Sequence, residues 1–140
     1  MWIDQRGSEV LERPECGRLL AAKAGGVGRL GMVVDGQPVV VPLNYTVVDG
    51  DVVVRIGGGT ILTAIRRGDT IVAFEIDDQS ADGGALWWSV LVQGLALEVT
   101  DQPRSAKFRL GAPVPAVPAP GESVVRIRPD VLSGRRFAPS

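Results

Sequence analysis

Histidine is absent from the 140 residues, and with it go His-based catalytic triads, imidazole-ligated zinc and histidine-ligated haem. Cysteine occurs once, at Cys16, which removes intrachain disulfides, Cys-x-x-Cys redox pairs and Cys-rich metal sites. Neither sign of charge dominates. The 15 basic and 16 acidic residues leave a net charge of −1, so no broad basic field exists to attract nucleic acid or anionic lipid. Long apolar runs are missing too: Val39-Val40-Val41, extended by Leu43, is strand-sized and far short of a membrane span. The N-terminus, MWIDQRGSEVLERPE, lacks the apolar stretch of a signal peptide, and the expected location is cytoplasmic. Whatever chemistry occurs is therefore left to a bound cofactor, or there is none.

What is present is valine, 21 residues of it, clustered with isoleucine in short runs bounded by glycine turns. That composition is the mark of β-sheet. Strands are expected at 28–34, 38–48, 51–56, 70–76, 87–100 and 123–128. Asp35-Gly36 and Asp49-Gly50 between the first three are hairpin signals and make them an antiparallel meander. Gly94, inside the fifth strand, marks a bulge or bend. A helix starts at Pro14 and buries Cys16, Leu19 and Leu20 before stopping at Gly25-Gly26, which makes Cys16 a small core residue. A second, capped by Thr60, turns Ile61, Leu62 and Ile65 inward and ends at Gly68. Residues 111–121 (GAPVPAVPAPG) form neither regular helix nor central strand and read as a Pro/Ala-rich connector. At this length area scaling gives burial of about two-thirds of the surface, enough for one core. The expectation is a single domain over residues 1–140, mainly β, closing as an antiparallel barrel.

Several segments carry candidate chemistry, each with a plainer reading beside it. Gly57-Gly58-Gly59 before Thr60 is either an anion cradle, with Arg55 as its cation, or a simple strand-to-helix turn. Pro42-Leu43-Asn44-Tyr45 interrupts a valine strand with a missing ladder donor, an amide and a ring; it is a site or a solvated edge. Trp87 and Trp88 alternate across a strand, so one enters the core and the other meets a ligand or a subunit. Asp77, Asp78 and Asp82 read as a solvated loop, and no metal site is expected.

Taken in order, these segments resemble the FMN-binding split-barrel family, the pyridoxamine 5'-phosphate oxidase-like proteins of short actinobacterial type. The resemblance rests on Pro14-Glu15-Cys16-x-x-Leu19-Leu20, on Asp35-Gly36-x-Pro38 leading to Pro42-Leu43-Asn44-Tyr45, and on Gly59-Thr60-x-Leu62. It continues through Val72-Ala73-Phe74-Glu75-Ile76-Asp77, Trp88-Ser89-Val90 with Gly94, and Gly134-Arg135-Arg136-Phe137. It implies a six-stranded antiparallel split barrel that forms a homodimer, binds FMN in the dimer interface and acts on a small-molecule substrate as an oxidoreductase. Carried over by position, Pro42, Leu43, Asn44 and Tyr45 would line the flavin ring, and Arg55, Gly59 and Thr60 would meet its phosphate. Trp88 and Ser89 would flank the cofactor, with Arg135 near the site. Relatives commonly read Arg-Thr-x-x-Gly-Thr-Lys-Leu where this chain has Ile56 and Ile61 in place of the threonine and the lysine. Losing that cation costs an FMN phosphate about 1.5–3 kcal/mol. It opens two alternatives: the deazaflavin F420, or a non-catalytic ligand-binding or sensing dimer.

Overall fold

The computed structural model describes residues 7–79, 86–114 and 120–137, together with the backbone of Trp2–Ile3. In chain order the elements are β1 (Trp2–Ile3), β2 (Glu9–Leu11), α1 (Arg13–Ala22), β3 (Val27–Val34), β4 (Gln37–Val48) and β5 (Asp51–Ile56). There follow α2 (Thr60–Arg66), β6 (Ile71–Gln79), β7 (Trp87–Glu98), a 3-10 turn (Pro103–Ser105), α3 (Ala106–Gly111), β8 (Ser123–Ile127) and β9 (Val131–Phe137).

The six strands expected from the valine runs form the barrel. Its order is β7-β6-β3-β4-β5-β8, and β8 pairs back onto β7 to close it, every pairing antiparallel. Both Asp-Gly pairs turn as the hairpins require, with φ of 48° and 80° at Asp35 and Gly36 and 51° and 83° at Asp49 and Gly50.

Gly94 makes no bulge in the register with β6 and is the point where β7 changes partner. Residues Trp87 to Gln93 pair with β9, and Ala96 to Glu98 pair with β8. The chain leaving β8 crosses so close that a Cβ on Gly94 would lie 1.7 Å from the Arg128 carbonyl oxygen. Only glycine permits that approach.

β9, β2 and β1 extend the sheet beyond β7. They are absent from the six-strand expectation, because β9 carries Gly134 and two arginines rather than an apolar alternation. Gly134 leaves room for α1: a Cβ there would sit 2.9 Å from the Cys16 sulfur. Cys16 is fully buried, and burial pushes its thiol pKa up, so it is packing and not a thiolate nucleophile.

Inside the barrel, Tyr45 and Phe74 meet edge-to-face with ring centroids 5.3 Å apart, surrounded by Leu30, Val54, Ile76, Val90 and Ile127. A second, smaller cluster lies outside the wall, where Phe108 of α3 packs on Val53 and Val124. The Pro/Ala segment therefore begins later than expected. Gly111 closes α3 and Ala112 is buried, while residues 115–119 lie outside the described set. Asp77 and Asp78, expected in a loop, belong to β6 and pair with Arg29 and Lys23; Asp82 lies outside the described residues. Among the described residues no helix is long and apolar enough to cross a membrane.

Candidate functional site

The alternation of β4 decides what its residues can do. Val39, Val41, Leu43 and Tyr45 turn toward the core, whereas Pro38, Val40, Pro42 and Asn44 are exposed on the outer face. Where β5 ends, Gly57-Gly58-Gly59 carries the chain over the rim into α2. A groove of about 320 Å³ opens there, lined by Val41, Leu43, Ile56, Ile61, the three glycines and Thr60. That volume is at the lower end for small-ligand sites and suits one flat ring system.

Thr60 is not the helix cap expected from the sequence. The cap position is Gly59, with no side-chain cap hydrogen bond, and Thr60 begins the helix, its hydroxyl without a hydrogen-bond partner among the described residues. It is the one side-chain donor on an otherwise apolar wall. Gly58 is held from behind, where its N–H donates to the Pro120 carbonyl oxygen at 3.3 Å.

Of the residues expected at the cofactor, Leu43, Gly59 and Thr60 come together in this groove. Arg55 does not. Ile56 lines the groove, so its neighbour one residue earlier points through the opposite face of the strand. There the Arg55 guanidinium donates to the Pro113 carbonyl oxygen at 2.6 Å and pairs with Glu122 at 3.4 Å. Its role is to hold the ends of the 113–122 segment against the barrel.

Tyr45 is fully buried, and its hydroxyl donates to the Leu20 carbonyl oxygen at 2.7 Å. Burial pushes its pKa up to about 12. The ring is a core element and offers no face to a ligand. Trp88 is likewise inside, 6% exposed, while Trp87 is 40% exposed. One tryptophan does enter the core as expected, but it is the one assigned to the cofactor.

Asn44 donates its amide to the Gly25 carbonyl oxygen at 3.1 Å, fastening the turn between α1 and β3. Pro42 lies on the outer face beside Arg29. Ser89 and Arg135 are direct cross-strand partners between β7 and β9, and Arg135 donates to the Ser8 hydroxyl at 3.2 Å. The expected site thus separates into a groove, a core pair and two stretches of outer surface. Val41 belongs to the groove and escaped notice; counting back in twos from Tyr45 would have found it.

The outer face between β4, β3 and β6 is open and apolar. Gly31 pairs with Val40 on one side and Ala73 on the other, and Val33, Val40 and Ile71 are 64%, 67% and 64% exposed. Beside this patch Arg29 pairs with both Glu75 (2.9 Å) and Asp77 (3.3 Å). Partial burial and the neighbouring Asp77 carboxyl push the Glu75 pKa up.

The pyridoxamine 5'-phosphate oxidase family model matches residues 12–136, nearly the whole chain. The chain belongs to this family. The split barrel expected from the resemblance is the fold observed, with the strands beyond β7 as an addition. A FAD-binding protein of Mycobacterium smegmatis is similar at 31% identity and a TM-score of 0.73, over 92% of this chain and 99% of that one. A FAD-binding protein of Mesorhizobium loti is 28% identical with a TM-score of 0.76, over 92% and 96%. An uncharacterized protein of Mycobacterium tuberculosis is 35% identical over 91% of this chain and 84% of its own length. Family and neighbours together support a flavin-binding split-barrel protein.

The groove tests that reading residue by residue. Its apolar wall and glycine turn fit a flat, largely apolar ring. A terminal phosphate, carrying about −1.5 to −2 charges at neutral pH, finds no cation among the described residues of the wall. The described lining fits the flat ring of a flavin and supplies no cation for a phosphate.

Proposed function

We propose that this protein is a flavin-dependent oxidoreductase that works as a homodimer on a small-molecule substrate. The observation that carries the reading is the apolar groove at the Gly57–Thr60 turn, in a chain whose family and flavin-binding neighbours match it nearly end to end. A bound flavin supplies hydride and single-electron chemistry that this chain, without histidine or paired cysteines, cannot. The chain's own part is to hold the ring between Val41, Leu43, Ile56 and Ile61, to offer the Thr60 hydroxyl as a donor, and to keep water out.

FMN is the cofactor the resemblance implies, but the cation-free wall favours FAD. The phosphates of FAD lie mid-molecule, carry less charge each than a terminal monoester, and can extend past the groove. The homodimer reading draws on the outer β4–β3–β6 face, whose contiguous Val33, Val40 and Ile71 are what a self-complementary interface buries.

Titration of dark-purified protein with FAD, FMN and F420, followed by calorimetry and by tryptophan fluorescence, tests the reading. FAD is expected to bind at least tenfold tighter than FMN. Loaded protein should then oxidise a nicotinamide, or reduce a dye, with saturable kinetics. No binding of any of the three would remove the flavin reading. Binding without turnover would favour a ligand-binding or sensing dimer, which the missing cation also supports.

A further inference from the structure

A second and larger recess, about 640 Å³, lies on the outer barrel wall between the ends of β7 and β8 and the segment from the 3-10 turn to α3. It shares no lining residue with the groove. Its construction follows from Phe108, which wedges α3 onto Val53 and Val124 and so suspends residues 104–107 over the strand ends. Below them Leu97 and Arg126 are cross-strand partners.

Three cations converge on this recess. The Arg126 guanidinium lies 4.9 Å and the Lys107 ammonium 5.3 Å from the Phe108 ring centroid, each within cation–π range. Both have aspartate counterions, Asp51 and Asp49, that lie outside the recess wall. Arg104 is the third, and it has no hydrogen-bond or ion-pair partner among the described residues. The wall holds one carboxylate, Glu98, and that is already satisfied. It accepts from Arg66 at 2.8–3.1 Å and from the Ser123 hydroxyl at 2.6 Å. The hydroxyls of Thr100 and Ser105 add neutral polar groups, while Leu97, Val99 and Phe108 supply an apolar side. Volume, an apolar wall and a few convergent polar groups are what small-ligand sites share.

We infer that this recess binds a small organic oxyanion, a phosphate monoester or carboxylate carried on an apolar body, with Arg104 as its first charge partner. Arg126 and Lys107 reinforce the positive potential, and the apolar side distinguishes an organic anion from a bare inorganic one. The inference is independent of the flavin reading, since neither site uses the other's residues.

The test uses the full chain at constant ionic strength, titrated with phenyl phosphate, benzoate and inorganic phosphate. Calorimetry gives affinities, and backbone amide shifts give the place. Saturable shifts are expected at residues 97–108 and 126 and not at Gly57–Thr60, with phenyl phosphate or benzoate bound more tightly than inorganic phosphate. The tighter of the two organic probes identifies the oxyanion. Arg104→Ala should weaken it about tenfold, the effect of one charge-assisted hydrogen bond. Arg104→Lys should recover part of that loss, and Arg67→Ala should leave affinity unchanged. Non-saturable binding, shifts centred elsewhere, inorganic phosphate as tight as the organic probes, or wild-type affinity in Arg104→Ala would each overturn the assignment.

Discussion

Replacing Ile61 by lysine puts a cation on the groove wall where, on the proposed reading, an FMN phosphate would lack one. Ile61 lines the groove and is half-buried, so the longer side chain can reach the rim with its stem along Val41 and Leu43. A charge-assisted hydrogen bond is worth about 1.5–3 kcal/mol. At about 1.4 kcal/mol per decade, FMN affinity should rise roughly tenfold to a hundredfold. The gain for FAD should be smaller, which narrows the preference between the two. Arg55→Ala is the companion measurement. Its guanidinium leaves through the other face of β5 to Pro113 and Glu122, so its removal should change flavin affinity by less than about twofold. It should instead lower stability by about 1–2 kcal/mol, through two lost hydrogen bonds. Calorimetry with FMN and FAD, paired with urea unfolding, reads both quantities. A loss of flavin affinity of tenfold or more in Arg55→Ala would refute the reasoning, because the guanidinium would then be exchanging Glu122 for the cofactor. Unchanged FMN affinity in Ile61→Lys would place the phosphate away from the Gly57–Thr60 turn.

Three further outcomes are expected. Gly94→Ala should cost at least about 3 kcal/mol, because the new Cβ meets a backbone carbonyl at 1.7 Å, whereas Gly17→Ala, in α1 with open space around it, should gain about 1 kcal/mol; equal unfolding midpoints would contradict this. Val40→Asp, on the outer apolar face, should turn a dimer into a monomer in sedimentation at micromolar concentration, and a wild type that is already monomeric would exclude that interface. Glu15 has its pKa lowered to about 2 by its hydrogen bond to Arg18, with Arg136 adding to the effect. Because the folded value lies below the unfolded one, its contribution is present above about pH 4.5 and is lost as pH falls toward 2. Melting temperatures of Glu15→Gln and wild type should therefore converge across that range, and parallel curves would show that the pairing is inconsequential.

The barrel was legible because local signals and global fold agree: valine runs of strand length, joined by Asp-Gly pairs that adopt the positive φ such turns need. β9 and β2 were not. Their pairing depends on α1 docking through Cys16 against Gly134, a contact between residues more than a hundred positions apart. α3 was hidden for a related reason, since Phe108 is its one buried aromatic and the surface it covers belongs to β5 and β8. At the site, the glycine turn and Thr60 could be read directly, but Arg55 was grouped with them by closeness in sequence. A period of two separates it from Ile56, as it separates Asn44 from Leu43 and Trp88 from Trp87.

Barrel closure at Gly94 and the short strands beyond β7 also limit how this chain can associate. Among the described residues the sheet ends on β1, which is two residues long, so that end offers almost no row of unpaired backbone N–H and C=O groups for another chain to extend. Growth by strand addition, the route to swapped ladders and fibrils, has little purchase at that end of the sheet. On the homodimer reading, two copies would instead meet through side chains of the outer β4–β3–β6 face, a contact that closes after two subunits.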